Sequence, residues 1–282
     1  MRNRSVLAGE AAAAAAEVET ALTVPPDPTA AAFFDVDNTI MQGASIYHLA
    51  KGLHRRKFFT TREILGAAWK QAYFRVVGIE DPEHVAEARA SALNFIKGHR
   101  VEELEALGEE IFEEAMARRI WPGTRALAQL HLDQGQRVWL VTAAPIEIAN
   151  IIARRLGLTG ALGPVSEHVD GVYTGRLVGE MLHGPAKGEA VRALAEREGL
   201  DLARCSAYSD SYNDLPMLSM VGDPCAVNPD SRLRDHARAN GWRVRDYRTG
   251  RKAARAGLFA AAVAGAASGS IAAGVAIRRK VR

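Results

Sequence analysis

An α/β fold built on a parallel sheet is predicted by three features of the chain. Short apolar runs stop abruptly at carboxylates or hydroxyls, at Asp35 and Asp37, at Thr142 and at Asp210, and a helical pattern follows each stop. About eighty residues of unbroken helical periodicity separate the first run from the others. The first two features predict a doubly wound sheet whose strand ends at one edge make the ligand crevice. The third predicts a small helical cap inserted after the first strand. The expected organisation is a disordered leader over 1–30, a core of 31–40 and 120–247, a cap over 41–119, and a basic tail over 248–282.

The leader carries Ala11 to Ala16 with no amphipathic face and ends in Pro25, Pro26 and Pro28. Residues 31–36 have the length of a buried strand, so Asp35 and Asp37 fall where it opens into a loop. Residues i and i+2 of an extended chain point the same way, so both carboxylates can converge on one small volume. Two anions that close repel, and Mg²⁺ with hard oxygen ligands is the usual remedy.

Helices are predicted over 45–53, 61–77, 82–97 and 101–119, with Ile64, Leu65, Ala68, Trp69 and Ala72 the clearest apolar stripe. Caps over a phosphate site govern which substrate enters and exclude water. The run His54-Arg55-Arg56-Lys57-Phe58-Phe59 reads as a solvated helix end, or as a contact for an anionic substrate or membrane surface.

From Trp121 the α/β rhythm resumes. A helix over 124–133 leads through Gly135 into a strand over 137–141, which ends at Thr142 just before a helix near Ile146. Free amides at a helix start favour phosphate, although Thr there is also an ordinary N-cap. Asp170-Gly171 marks a hairpin over 169–179. Pro185 suits the first position of a helix, which places Lys187 in a first turn where the macrodipole disfavours a cation. A cation set against the dipole is expected if it must reach an anionic site. A strand over 205–208 then meets Ser209, Asp210, Asn213 and Asp214, the last in an N-cap position. Strands over 224–227 and 242–244 flank a helix over 231–240.

Net charge is +3, but seven Lys or Arg and no acid lie from Arg251 onward, which leaves −4 on the first 250 residues and argues against a nucleic-acid groove. Cys205 and Cys225 have no metal-like spacing and read as buried thiols in a reducing compartment. Residues 257–277 lack charge and are near the ~20 residues that span a bilayer. Mostly Ala and Gly, this stretch reads as a marginal membrane anchor on a cytoplasmic catalytic domain, or as a flexible or peripheral tail. Its Gly265 and Gly269 have the spacing that would pair two such helices in a homodimer.

Taken together, Asp35 and Asp37, Thr142, Lys187, and Asp210 with Asp214 resemble the haloacid dehalogenase-like phosphatases, in the phosphoserine-phosphatase-like subgroup with a helical cap. The resemblance covers residues 31–247 and implies a Rossmann-like core and a Mg²⁺-dependent phosphomonoesterase acting through an aspartyl-phosphate. It implies Asp35 as nucleophile and Asp37 as general acid and base. Asp35, Asp210 and the Asp37 carbonyl would bind the metal, and Asp214 would orient that shell. Thr142, the Ala143 amide, Lys187 and Asn213 would hold phosphate. The phosphoserine phosphatases carry a Glu nine residues after the nucleophile to meet the substrate ammonium, where this chain has Ala44. The substrate is therefore a small phosphorylated metabolite, phosphoserine among the candidates. The alternatives are a membrane-anchored phosphatase of a lipid phosphate such as a lysophospholipid, and a non-catalytic phosphate-binding protein.

Overall fold

The computed structural model describes residues 27–58 and 96–248. Its centre is a six-stranded sheet in the order β3-β2-β1-β6-β7-β8. The strands are β1 (Ala31–Phe34), β2 (Arg137–Val141), β3 (Gly160–Leu162), β6 (Ser206–Ser209), β7 (Asp223–Val227) and β8 (Arg243–Arg245). The β1–β2, β1–β6, β2–β3 and β6–β7 pairs are all parallel. The chain steps from β1 to one side for β2 and β3, then returns to the other side for β6. That reversal opens the crevice at the carboxyl ends of β1 and β6. β3 has only three residues and no periodicity, so pattern alone does not predict it.

Alternation along β1 sorts the two faces. Ala31 and Phe33 are fully buried in a core with Val191 and Leu194 of α5 (Pro185–Glu198), Met217 and Leu218 of α6 (Leu215–Leu218), and Leu233 of α7 (Ser231–Ala239). Asp35 is the next residue of that parity, so its side chain falls toward α5. On the opposite face Phe34 stacks on Tyr208 with ring centroids 4.2 Å apart. This is the side of α3 (Pro122–Asp133), which supplies His131, and of α4 (Ile146–Leu156). Cys205 and Cys225 are both buried.

Between β1 and α3 lie α1 (Ser45–Arg55) and α2 (Val101–Ile111). The helices expected over 61–77 and most of 82–97 fall outside the described residues. Where the sequence predicts one helix over 101–119, α2 ends at Ile111 and continues as a π turn, Phe112–Met116, and a 3₁₀ turn, Ala117–Arg119. The change of winding turns the chain out of the helix into pairing with the outgoing limb. There Gln42 N–H donates to Arg119 O at 2.9 Å and Trp121 N–H to Ile40 O at 2.8 Å. Glycines set the helix contacts: a Cβ on Gly52 would lie 2.5 Å from Ile111, and one on Gly108 would lie 2.7 Å from Ile151 of α4.

Two members of the basic-aromatic run, Arg56 and Phe58, have partners within this insert, while Arg55 and Lys57 are exposed. Arg56 pairs with Glu110 at 3.1 Å and Glu114 at 2.7 Å, and the Phe58 ring lies 4.0 Å from that of His99. Neither is a free contact for lipid. No helix among the described residues is long and apolar enough to cross a membrane, and residues 257–277 lie outside them.

β4 (Val165–Val169) and β5 (Val172–Val178) form the expected hairpin, with Asp170 at φ 50° and Gly171 at φ 74° making its two-residue turn. The outer edge of β5 pairs with the insert's return limb. Gly98 N–H donates to Tyr173 O, Tyr173 N–H to His99 O and Val101 N–H to Gly171 O, at 2.9, 3.0 and 2.9 Å.

His131 is held neutral behind the sheet. Burial pushes its pKa below the usual 6.5, Arg243 adds to this, and Gln136 and Asp223 oppose it. Its Nδ1 lies 2.6 Å from Gln136 Oε1 and its Nε2 2.7 Å from Tyr208 Oη, which fits a neutral ring donating from Nδ1 and accepting at Nε2. As pH falls below 6.5 the unfolded chain takes up this proton before the folded one, so stability falls with acid. Urea midpoints measured between pH 7.5 and 5.5 should drop more steeply for the wild type than for His131→Gln.

Candidate active site

Asp35 follows β1 directly, and its N–H donates to Tyr208 O at 2.9 Å, so the last backbone bond of the strand fixes the residue. Its side chain meets Lys187, the third residue of α5. Lys187 Nζ lies 2.5 Å from Asp35 Oδ1 and 2.8 Å from Asp214 Oδ2, and all three side chains are almost completely buried. The sequence places Lys187 against the helix dipole, and two carboxylates compensate. Burial pulls the lysine down, but Asp35 and Asp214 outweigh it and hold its pKa above the ordinary lysine value. An ammonium has three N–H donors, and two are used here.

Asp214 occupies the N-cap position of α6, yet its side chain caps nothing. Its carboxylate turns inward to Lys187 and also accepts from Ser209 Oγ at 2.7 Å. Asp210 follows β6, in the loop that Asp230 braces. Asp230 N–H donates to Asp210 O at 2.8 Å, and its carboxylate accepts from the N–H groups of Tyr212 and Leu233, each at 2.8 Å. Asn213 lies in the same 3₁₀ turn as Asp214 with an exposed side chain.

Thr142 directly follows β2, the neighbour of β1, and is buried. It is no helix cap, because α4 starts four residues later after Pro145. Instead its Oγ1 accepts from Ala144 N–H at 3.0 Å. The Ala143 N–H has no acceptor among the described residues. Asp37 accepts at Oδ1 from both the N–H and the hydroxyl of Ser45, at 2.8 and 2.7 Å.

The donors present fit a hard cation. Burial first, and then repulsion from Asp214 and Asp37, push Asp35 up to about 6 against the pull of Lys187. Burial first, and then Asp35 and Asp214, push Asp210 up to about 7. Crowded carboxylates with raised pKa values are the groups that a divalent cation relieves. Among the described residues no three His, Cys, Asp or Glu side chains form a metal cage. Two carboxylates and main-chain carbonyls are the sparser donor set of Mg²⁺, which keeps several waters. Asp214, expected near the metal, has Oδ2 committed to Lys187 and Ser209.

Sequence reasoning misses Ser45, Ser209 and Asn228. Ser209 closes β6 and is fully buried although polar, and a hydroxyl at the end of a buried strand is the signal that could have found it. Asn228, buried at φ 49°, donates from Nδ2 to Asn38 O at 3.0 Å and ties the first loop to the end of β7.

Known proteins share the family and the fold of this chain. The family model for haloacid dehalogenase-like hydrolases matches residues 32–219. Phosphoserine phosphatase SerB1 of Mycobacterium tuberculosis is 60% identical over 92% of this chain and 83% of its own length. A Bordetella pertussis protein of unknown function superposes with a TM-score of 0.68 at 29% identity, over 79% of this chain and 99% of that one. A phospho-aspartyl intermediate analogue of phosphoserine phosphatase shares the fold, with a TM-score of 0.51 at 20% identity over 78% and 96% of the two chains. With an acid after β1, a buried lysine on α5 and acids after β6 all inside the matched span, the chain belongs to the haloacid dehalogenase-like hydrolases and is a phosphatase of that family.

Proposed function

We propose that Asp35 is the nucleophile of a Mg²⁺-dependent phosphomonoesterase, with phosphoserine the first substrate to test. The observation that carries this reading is the buried lysine held between Asp35 and Asp214 at the carboxyl edge of the sheet. Lys187 steadies the Asp35 carboxylate and keeps one N–H for a phosphoryl oxygen. The Ala143 amide and the Thr142 hydroxyl lie at the end of the adjacent strand and supply further donors. Asp35 attacks phosphorus in line as the ester oxygen leaves, and that oxygen takes its proton from Asp37. Asp37 then accepts a proton from the water that cleaves the aspartyl-phosphate. Asp35, Asp210 and the Asp37 carbonyl are the groups that would hold Mg²⁺, which neutralises charge on the transferring oxygens.

Support for phosphoserine comes from the 60% identity to a protein named phosphoserine phosphatase. Ala44 lacks a carboxylate for the substrate's ammonium, so the selecting groups must lie elsewhere in the cap. A panel of phosphorylated metabolites and lysophospholipids, assayed with Mg²⁺ and with chelator, tests both halves of the reading. Activity should vanish in chelator and return with Mg²⁺, while Ca²⁺, which takes more and longer oxygen contacts, should substitute poorly. Full turnover in chelator would refute the metal. A lysophospholipid preferred to every soluble ester would refute the substrate class.

A further inference from the structure

Asp37 and Ser45 are joined by a loop folded back on itself. Asn38 adopts φ 60°, its Oδ1 accepts from Gly43 N–H at 3.0 Å, and Gly43 follows at φ 81°. The reversal brings the first residue of α1 onto Asp37. The helix's own N-cap residue, Ala44, offers no side-chain acceptor, so Asp37, eight residues before Ser45, stands in that place. Both Ser45 donors go to one oxygen, Oδ1, and Ser45 is completely buried. Oδ2 takes no hydrogen bond among the described residues.

We propose that Ser45 is a positioning residue for the acid step: it pins Asp37 through Oδ1 and so leaves Oδ2 as the oxygen that carries the proton to the leaving group. This rests on Asp37 being the general acid. As the bond from Asp35 oxygen to phosphorus forms and the ester P–O bond breaks, the Oδ2 proton passes to the departing oxygen. In the second half, water attacks phosphorus, its proton returns to Oδ2, and the Asp35–phosphorus bond breaks. Without the Ser45 hydroxyl the carboxylate keeps one backbone donor but turns about its Cβ–Cγ bond, so Oδ2 no longer points steadily at the ester. A charge-assisted hydrogen bond is among the stronger orienting contacts available.

Phenyl phosphate and p-nitrophenyl phosphate have the same reacting centre, but p-nitrophenolate leaves with little need of a proton. Rapid-quench measurement of phosphoenzyme formation from both esters should show Ser45→Ala slowing phenyl phosphate about tenfold and p-nitrophenyl phosphate less than about twofold. Ser45→Thr, which keeps the hydroxyl, should restore the phenyl phosphate rate, and normal handling of p-nitrophenyl phosphate shows that each variant is folded. Asp37→Asn should show a larger version of the same selectivity, and Ser45→Ala added to it should cost nothing more. Equal loss on the two esters for Ser45→Ala, or a further loss in the double variant, would overturn the positioning role while Asp37 remained the acid. A loss for Asp37→Asn that is the same on both esters would instead remove Asp37 as acid, and the role of Ser45 with it.

Discussion

Asp35→Asn is expected to stop turnover, by a factor on the order of 10⁴ or more, in a protein that remains folded. The amide matches the carboxylate in size and its oxygen still accepts from Lys187, so the bond to α5 survives. What it lacks is the anionic oxygen that attacks phosphorus. Loss of one negative charge also relieves part of the crowding around Asp210, although burial, the larger cause of its raised pKa, remains. Acid-quenched protein from a reaction with labelled ester should carry phosphate in the wild type and none in the variant. Turnover above about one part in a hundred of wild type, in a preparation free of other phosphatases, would defeat the covalent assignment.

Lys187→Met should be the most damaging single change to stability near the site. Two carboxylates would stay buried without the cation between them, and breaking a buried ion pair from one side costs about 3–5 kcal/mol. The dependence on pH gives the cause away. Lys187 now draws the Asp35 pKa down, so its removal raises that pKa further above the unfolded value of 3.8. A group raised in this way favours the fold while protonated and loses that contribution as pH rises through its folded pKa. The stability deficit of Lys187→Met should therefore be small near pH 5 and large near pH 8. Chemical denaturation of both proteins across that range, without added metal, measures it. A deficit constant with pH would point to lost packing of the aliphatic stem. Activity should fall with stability, because the donor to the phosphoryl oxygen goes as well.

Much of the scaffold was legible because strands and helices leave periodic traces. Residues 137–141 form β2 as the pattern predicts, and Asp170-Gly171 demands a turn with both residues at positive φ. The carboxylates after β1 and β6 were visible as acids placed where apolar runs stop. The lysine was visible as a cation in a helical turn that should repel it. What stayed hidden depends on where side chains turn after the backbone is set. Asp214 has the sequence position of a cap and spends its carboxylate on Lys187 instead. Ser45 reaches Asp37 only because Asn38 and Gly43 take left-handed conformations, and no periodicity records such a reversal. Arg56 looks like a free cation in a basic run, yet its partners Glu110 and Glu114 lie more than fifty residues away.

The three backbone bonds between residues 98–101 and the hairpin bear on how this enzyme can be rebuilt. The hairpin belongs by sequence to the second half of the chain, but its β5 edge is completed by the return limb of the insert. Glu109 of α2 adds pairs with Arg154 and Arg155 of α4 at 2.8 and 2.6 Å. An exchange of residues 41–119 for the equivalent stretch of a relative would leave that edge facing a limb it was not matched to. The transferable unit is the insert together with residues 165–178, two pieces of chain far apart in sequence that form one part.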